Sequence, residues 1–184
     1  MSEAIAPIRG SRAVSAVWDA DEAVEQLYAA HYRQLVRLSV LLVRDQGTAE
    51  EVVQDSFVAM HGRWRSLSDP DKGLAYLRQT VVNRSRSVLR RRGVERKYLS
   101  IAPGSDVRDL PGADANALAS ERRTKVLEAL RQLPQRQREV LALRYYLDLD
   151  EADIASTLGI SRGAVKSHAS RGSATLRTLL EERP

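Results

Sequence analysis

Residues 150–177 read DEADIASTLGISRGAVKSHASRGSATLR, and their pattern predicts two helices separated by a tight turn. Asp150 is placed to cap the first, with Asp153 at the third position as in a weak capping box. Ile154, Ala155 and Leu158 line one face, and Gly159 supplies the left-handed conformation that ends the helix. Ser161 caps a second helix, about 162–176, which turns Val165 inward. A small residue at 155 lets the two helices approach, as helix-turn-helix packing requires. From Ser161 to Arg177 there are four basic residues and no acid, whereas Asp148–Asp153 holds four acids. A phosphate backbone would attract the second helix and repel the start of the first. The stretch therefore reads as a DNA-binding helix-turn-helix, facing DNA with Arg162, Gly163, Lys166, Ser167, Ser170 and Arg171. The plain alternative is an αα-hairpin with a solvated basic face, and the charge segregation counts against it.

The chain of 184 residues carries a net charge of +5, but its distribution says more than the sum. Residues 1–75 are net −3, 76–98 net +7, 99–121 net −3 and 122–184 net +4. Two basic regions flanking an acidic strip point to two nucleic-acid contacts joined by a segment that avoids DNA. With no cysteine, disulfides and thiolate metal sites are excluded. His31, His61 and His168 are scattered and read as structural, so neither a metal nor a cofactor is expected. No signal peptide and no run of ~18 apolar residues is present, so a cytoplasmic protein without a membrane partner is expected.

Upstream, residues 1–17 read as a disordered leader. A first helix runs from Asp19 or Asp21 to about Arg44, its stripe including Val24, Leu27, Leu35, Leu38 and Leu42. Gly47 is expected to break it, and Thr48 to cap a second helix with Glu51 closing a capping box. That helix turns Val53, Phe57, Met60 and Trp64 inward and Glu50, Glu51, Gln54 and Asp55 outward. After a loop at 65–72, Asp69-Pro70 starts a third helix reaching about Arg92. It ends in Arg84, Arg86, Arg90, Arg91 and Arg92, five arginines that repel one another unless something anionic binds. Residues 95–117 read as a flexible acidic linker, and helical pattern returns at Leu118, with Pro134 opening a helix through about Tyr146. The expected fold is all-α, with two small helical domains at 18–94 and 118–184 and no further domain beyond Pro184.

TAEEVVQDSFVAMHGRW (48–64), AYLRQTVVNRSRSVLRRR (75–92) and LRQLPQRQREVLALRYYLDLDEADIASTLGISRGAVKSHASR (130–171) together resemble the extracytoplasmic-function (ECF) group of sigma factors. The wording of SRGAVKSH and NRSRSVLRRR is similar to an actinobacterial SigE-type subgroup. The resemblance covers about 20–94 and 118–180, a sigma-2-like and a sigma-4-like domain. Two positions depart from it, Tyr76 where the family usually has tryptophan and Ser87 where it has aspartate.

The resemblance implies a subunit that directs core RNA polymerase to promoters. Glu50, Glu51, Gln54, Asp55 and Phe57 would dock on the β′ clamp helices, with the β flap as a second polymerase contact. Ser66, Ser68, Gln79, Asn83, Arg84, Arg86, Arg90 and Arg91 would read and melt the minus-ten element, a base flipped from the non-template strand being captured in the preceding loop. The recognition helix would read the minus-thirty-five element in the major groove. The linker would thread toward the RNA exit channel, its aspartates partly mimicking RNA phosphates. Many members are held by an anti-sigma factor, and the exposed faces here allow one. No catalytic site of its own is implied, so the chain is not expected to be an enzyme. The rival reading is a one-component helix-turn-helix regulator that binds a palindromic duplex as a dimer.

Overall fold

The computed structural model describes residues 19–67, 70–99 and 117–181, and all regular structure among them is helical. The leader 1–17, Ser68 and most of the linker lie outside the described residues. Three helices form the first domain: α1 (Ala20–Val43), α2 (Gln46–Leu67) and α3 (Pro70–Leu99). Their apolar stripes meet in one core, with Leu35, Leu38, Val53, Met60, Leu77, Val81 and Val82 at most 1% exposed. Burying each such side chain contributes about 1.5–3 kcal/mol, which is what sets the three-helix packing. Trp64 is buried with them, so it packs the core and offers no stacking surface. Ser39 and Ser85 share a buried hydroxyl pair at 3.3 Å between α1 and α3.

The α1–α2 corner differs from the expectation. Arg44 itself takes the left-handed conformation (φ 69°), and its amide donates to the Val40 carbonyl. Asp45 then caps α2, accepting from the Thr48 amide at 2.8 Å and from the Thr48 hydroxyl. Thr48 is thus the capped residue, because an acceptor three residues earlier already serves its amide. Arg92 of α3 reaches the same corner, donating to the Thr48 hydroxyl and lying 3.5 Å from Asp45. Helix α3 also continues to Leu99, past the Arg92 end expected for it.

The second domain contains α4 (Ala117–Gln132), α5 (Gln135–Leu141), α6 (Glu151–Leu158) and α7 (Arg162–Glu181). Beyond α5 the chain widens into a π-helical turn over Ala142–Tyr146, where a plain α-helix was expected. Asp150 accepts from the Asp153 amide at 2.8 Å, Gly159 is left-handed (φ 64°), and Ser161 accepts from the Ala164 amide at 3.1 Å.

The two domains do not stand apart. Helix α3 packs on α6, and α1 packs on α4, α5 and the π-helical turn. One contiguous apolar cluster runs through both domains. Tyr146 donates to the Gln34 carbonyl at 3.3 Å, and Arg44 to the Arg131 carbonyl.

Candidate nucleic-acid interface

Helix α7 separates two faces. Val165, Ala169 and Gly172 are buried, and at Gly172 a β-carbon would stand 3.2 Å from Gln137 and Leu141 of α5, so glycine permits this close packing. Arg162, Gly163, Lys166, Ser167, Ser170 and Arg171 all lie exposed on the opposite side. The Arg171 Nε donates to the Ser167 carbonyl at 3.3 Å, which steadies the guanidinium stem along the helix. Glu151, the first residue of α6, lies 3.7 Å from Lys166 and 3.8 Å from Arg144. Glu151, Arg144 and Arg162 border a cavity of about 330 Å³. Arg144 escaped the sequence reading because it stands in the preceding helix, and only the fold brings it beside Glu151.

The residues assigned to the minus-ten element are distributed differently. Ser66 is exposed and donates to the Arg63 carbonyl at 2.7 Å. Gln79 and the half-buried Tyr76 border a cleft of about 300 Å³ between α3 and α6. Arg78 lines the same cleft, where burial pulls its pKa down and Asp153 partly opposes the shift. Asn83 is exposed, with its Oδ1 accepting from Arg86 at 3.1 Å. Arg90 and Arg91 are exposed.

Three of the five clustered arginines are already paired within the protein, which corrects the expectation that they await an external anion. Arg84 lies 3.1 Å from Asp55, and Arg92 meets Asp45 as described. Arg86 donates through Nε and Nη2 to the two oxygens of Glu139, both at 2.8 Å. The acids come from α2, α5 and the α1–α2 corner, so a run without nearby acids in sequence is largely neutralised in space.

On α2, Glu51, Gln54 and Asp55 are exposed, and the half-buried Glu50 accepts from the Gln46 amide at 2.5 Å. Phe57 is corrected as a docking residue: it is 4% exposed, beneath Tyr28 with ring centroids 5.1 Å apart. The apolar surface beside the carboxylates is instead Val58, 73% exposed, and half-exposed Tyr28, stacked on Tyr32 at 4.4 Å. Val58 carries a readable signal, an apolar residue four positions after Gln54 on the polar face.

Among the described residues no group of three or more His, Asp or Glu is set to hold a metal, and no helix is long and apolar enough to cross a membrane. His61 pairs with Asp21 at 2.7 Å, joining α2 to α1.

The Sigma-70 region 2 family matches residues 27–94, and the Sigma-70, region 4 family matches residues 123–176. The helix-turn-helix and the arginine-rich helix α3 thus fall in the segments that match the two Sigma-70 regions. The chain belongs to the sigma-70 family of RNA polymerase sigma factors, in its extracytoplasmic-function group. It is 30% identical to the RNA polymerase sigma-E factor of Streptomyces antibioticus over 159 residues, covering 86% of this chain and 85% of the relative. It is 34% identical over 158 residues to the ECF RNA polymerase sigma factor SigM of Mycobacterium tuberculosis, covering 86% and 77%. The fold resembles that of RpoE from Bartonella quintana, solved with the anti-sigma factor NepR (TM-score 0.70, 22% identity, 87% of this chain and 98% of that one). It also resembles CnrH, solved with the cytosolic domain of CnrY (TM-score 0.63, 24% identity, 90% and 96%). As a sigma factor the chain directs transcription initiation by core RNA polymerase at promoters, and the dimeric-regulator reading is not favoured.

Proposed function

We propose that this sigma factor divides promoter recognition between its two domains and acts in the cytoplasm. The outward face of α7 reads the minus-thirty-five element in the major groove, using Arg162, Lys166, Ser167, Ser170 and Arg171. Ser66, Ser68, Gln79, Asn83 and the α3 arginines hold the unpaired minus-ten strand. Glu51, Gln54, Asp55 and Val58 form the polymerase-docking face, and Glu50 flanks it. An anti-sigma factor is a further partner, given the anti-sigma factor NepR solved with one structural relative. The carrying observation is the split of α7 into a buried apolar stripe and an exposed stripe of cations and small hydroxyls. Such a stripe gives phosphates charge and lets the backbone approach base edges closely.

The test is transcription in vitro. Core polymerase plus this chain, given a genomic promoter library, should start transcripts at sites sharing two elements. Silence across the library would defeat the proposal.

A further inference from the structure

We propose that Glu151 is a positioning residue for reading the minus-thirty-five element: it tethers Lys166 toward the DNA backbone and keeps its ammonium off the base edges. This rests on the assignment of α7 to that element.

The acids at the start of α6 have separate uses. The Asp150 carboxylate caps the helix by accepting from the Asp153 amide, and Asp153 lines the cleft against α3. Glu151 instead meets α7, and its two carboxylate oxygens face different cations. Oε1 lies 3.8 Å from Arg144 Nη1, and Oε2 lies 3.7 Å from Lys166 Nζ. As side chains, Glu151 is 23% exposed, Arg144 38% and Lys166 68%. The less exposed cation, from the π-helical turn, anchors the carboxylate, which in turn holds the more exposed lysine. Helix α7 has no such holder of its own, because no acid occurs from Ser161 to Arg177.

Lysine is the cation that most needs one. Its ammonium is a point charge on a flexible stem, able to meet either a phosphate or the O6 and N7 acceptors of guanine. Lys166 lies in the N-terminal part of the recognition helix, where side chains reach base edges. The start of α6 belongs to the helix that crosses the backbone in a helix-turn-helix. A carboxylate there draws the ammonium toward the phosphates and away from the floor of the groove. Two cations and one carboxylate leave a net positive group, so a phosphate is still attracted. An exposed pair of this kind biases the position of the ammonium by about fivefold or less. That is enough to set a base preference and too little to withhold the lysine from a phosphate.

Promoter selection with holoenzyme tests the tether. Core polymerase carrying wild type, Glu151→Gln, Lys166→Ala, the double variant or Arg171→Ala initiates on a barcoded template library randomised over the minus-thirty-five element. Glu151→Gln should shift the profile toward guanine at one position by about threefold to fivefold. In the double variant the shift should vanish, since no ammonium remains to be released, and Lys166→Ala alone should keep the wild-type profile. A folded E151Q chain with the wild-type profile overturns the tether, even if initiation falls uniformly. That outcome would leave Glu151 only a helix-start acid favouring the α6 dipole. A shift that persists without Lys166, or a changed profile in Lys166→Ala alone, overturns it as well. Arg171→Ala separates the two levels. If it too leaves the profile unchanged, the assignment of α7 fails and the tether with it; if it relaxes the profile while E151Q does not, only the tether fails.

Discussion

Lys166 carries its ammonium on the open side of α7, 68% exposed and 3.7 Å from Glu151. A pair this exposed contributes ~1 kcal/mol or less, so an approaching phosphate can take the lysine without a large penalty. Arg171, with its Nε fixed on the Ser167 carbonyl, has its terminal nitrogens available for a guanine edge. Lys166→Ala should reduce the salt slope of minus-thirty-five duplex binding by about 0.9, the signature of one lost phosphate contact. Arg171→Ala should instead weaken the preferred duplex by about 1–3 kcal/mol and relax its sequence preference. Titrations at several salt concentrations separate the two, and core polymerase binding should be unchanged in both. Arg138 shows the opposite environment. Only 3% exposed, its guanidinium is pushed down to about 10 by burial, and it donates to the carbonyls of Arg131, in the last turn of α4, and Leu133, just past it. Its position in the sequence, among three polar neighbours at 135–137, gives no sign of that burial.

At the scale of elements, the α1–α2 corner is the instructive case. Thr48 followed by Glu51 is a good capping box in sequence, but Asp45 lies one turn earlier and takes the Thr48 amide first. The Thr48 hydroxyl and amide hold the Asp45 carboxyl below the ordinary 3.8, with Arg92 adding to the shift. Asp45→Ala should destabilise the protein by about 1 kcal/mol at neutral pH, as for other lost helix caps. Because the folded pKa is depressed, this contribution is complete above the unfolded value and is lost as pH falls through the folded one. Urea unfolding should therefore show wild type and variant converging in acid, below the ordinary aspartate range. The helix-turn-helix needed no such correction. Asp150, Gly159 and Ser161 each act locally, through a cap or a left-handed turn, and local geometry is what sequence spacing encodes.

At the scale of the molecule, besides the hydrogen bonds of Tyr146 and Arg44, the contacts across the domain boundary include one buried pair and apolar packing. Neither is screened strongly by salt, whereas the surface pairs Arg84–Asp55 and Lys166–Glu151 are. Small-angle scattering of the wild-type chain should thus give the same radius of gyration at about 0.1 and 1 M salt. Glu139→Gln should expand it under both conditions. An expansion of wild type on adding salt would mean that exposed charges hold the domains together.

The apolar periods, glycine and proline positions and charge blocks by themselves determined that the chain is helical, that it carries a helix-turn-helix and which side of α7 is cationic. Each of those follows from neighbours within a few turns of the same helix. The pairing of Arg86 with Glu139, 53 residues away, and the covering of Phe57 by Tyr28 were decided only by tertiary structure. A charge's partner and a side chain's burial depend on which helices meet, and no spacing along one helix records that.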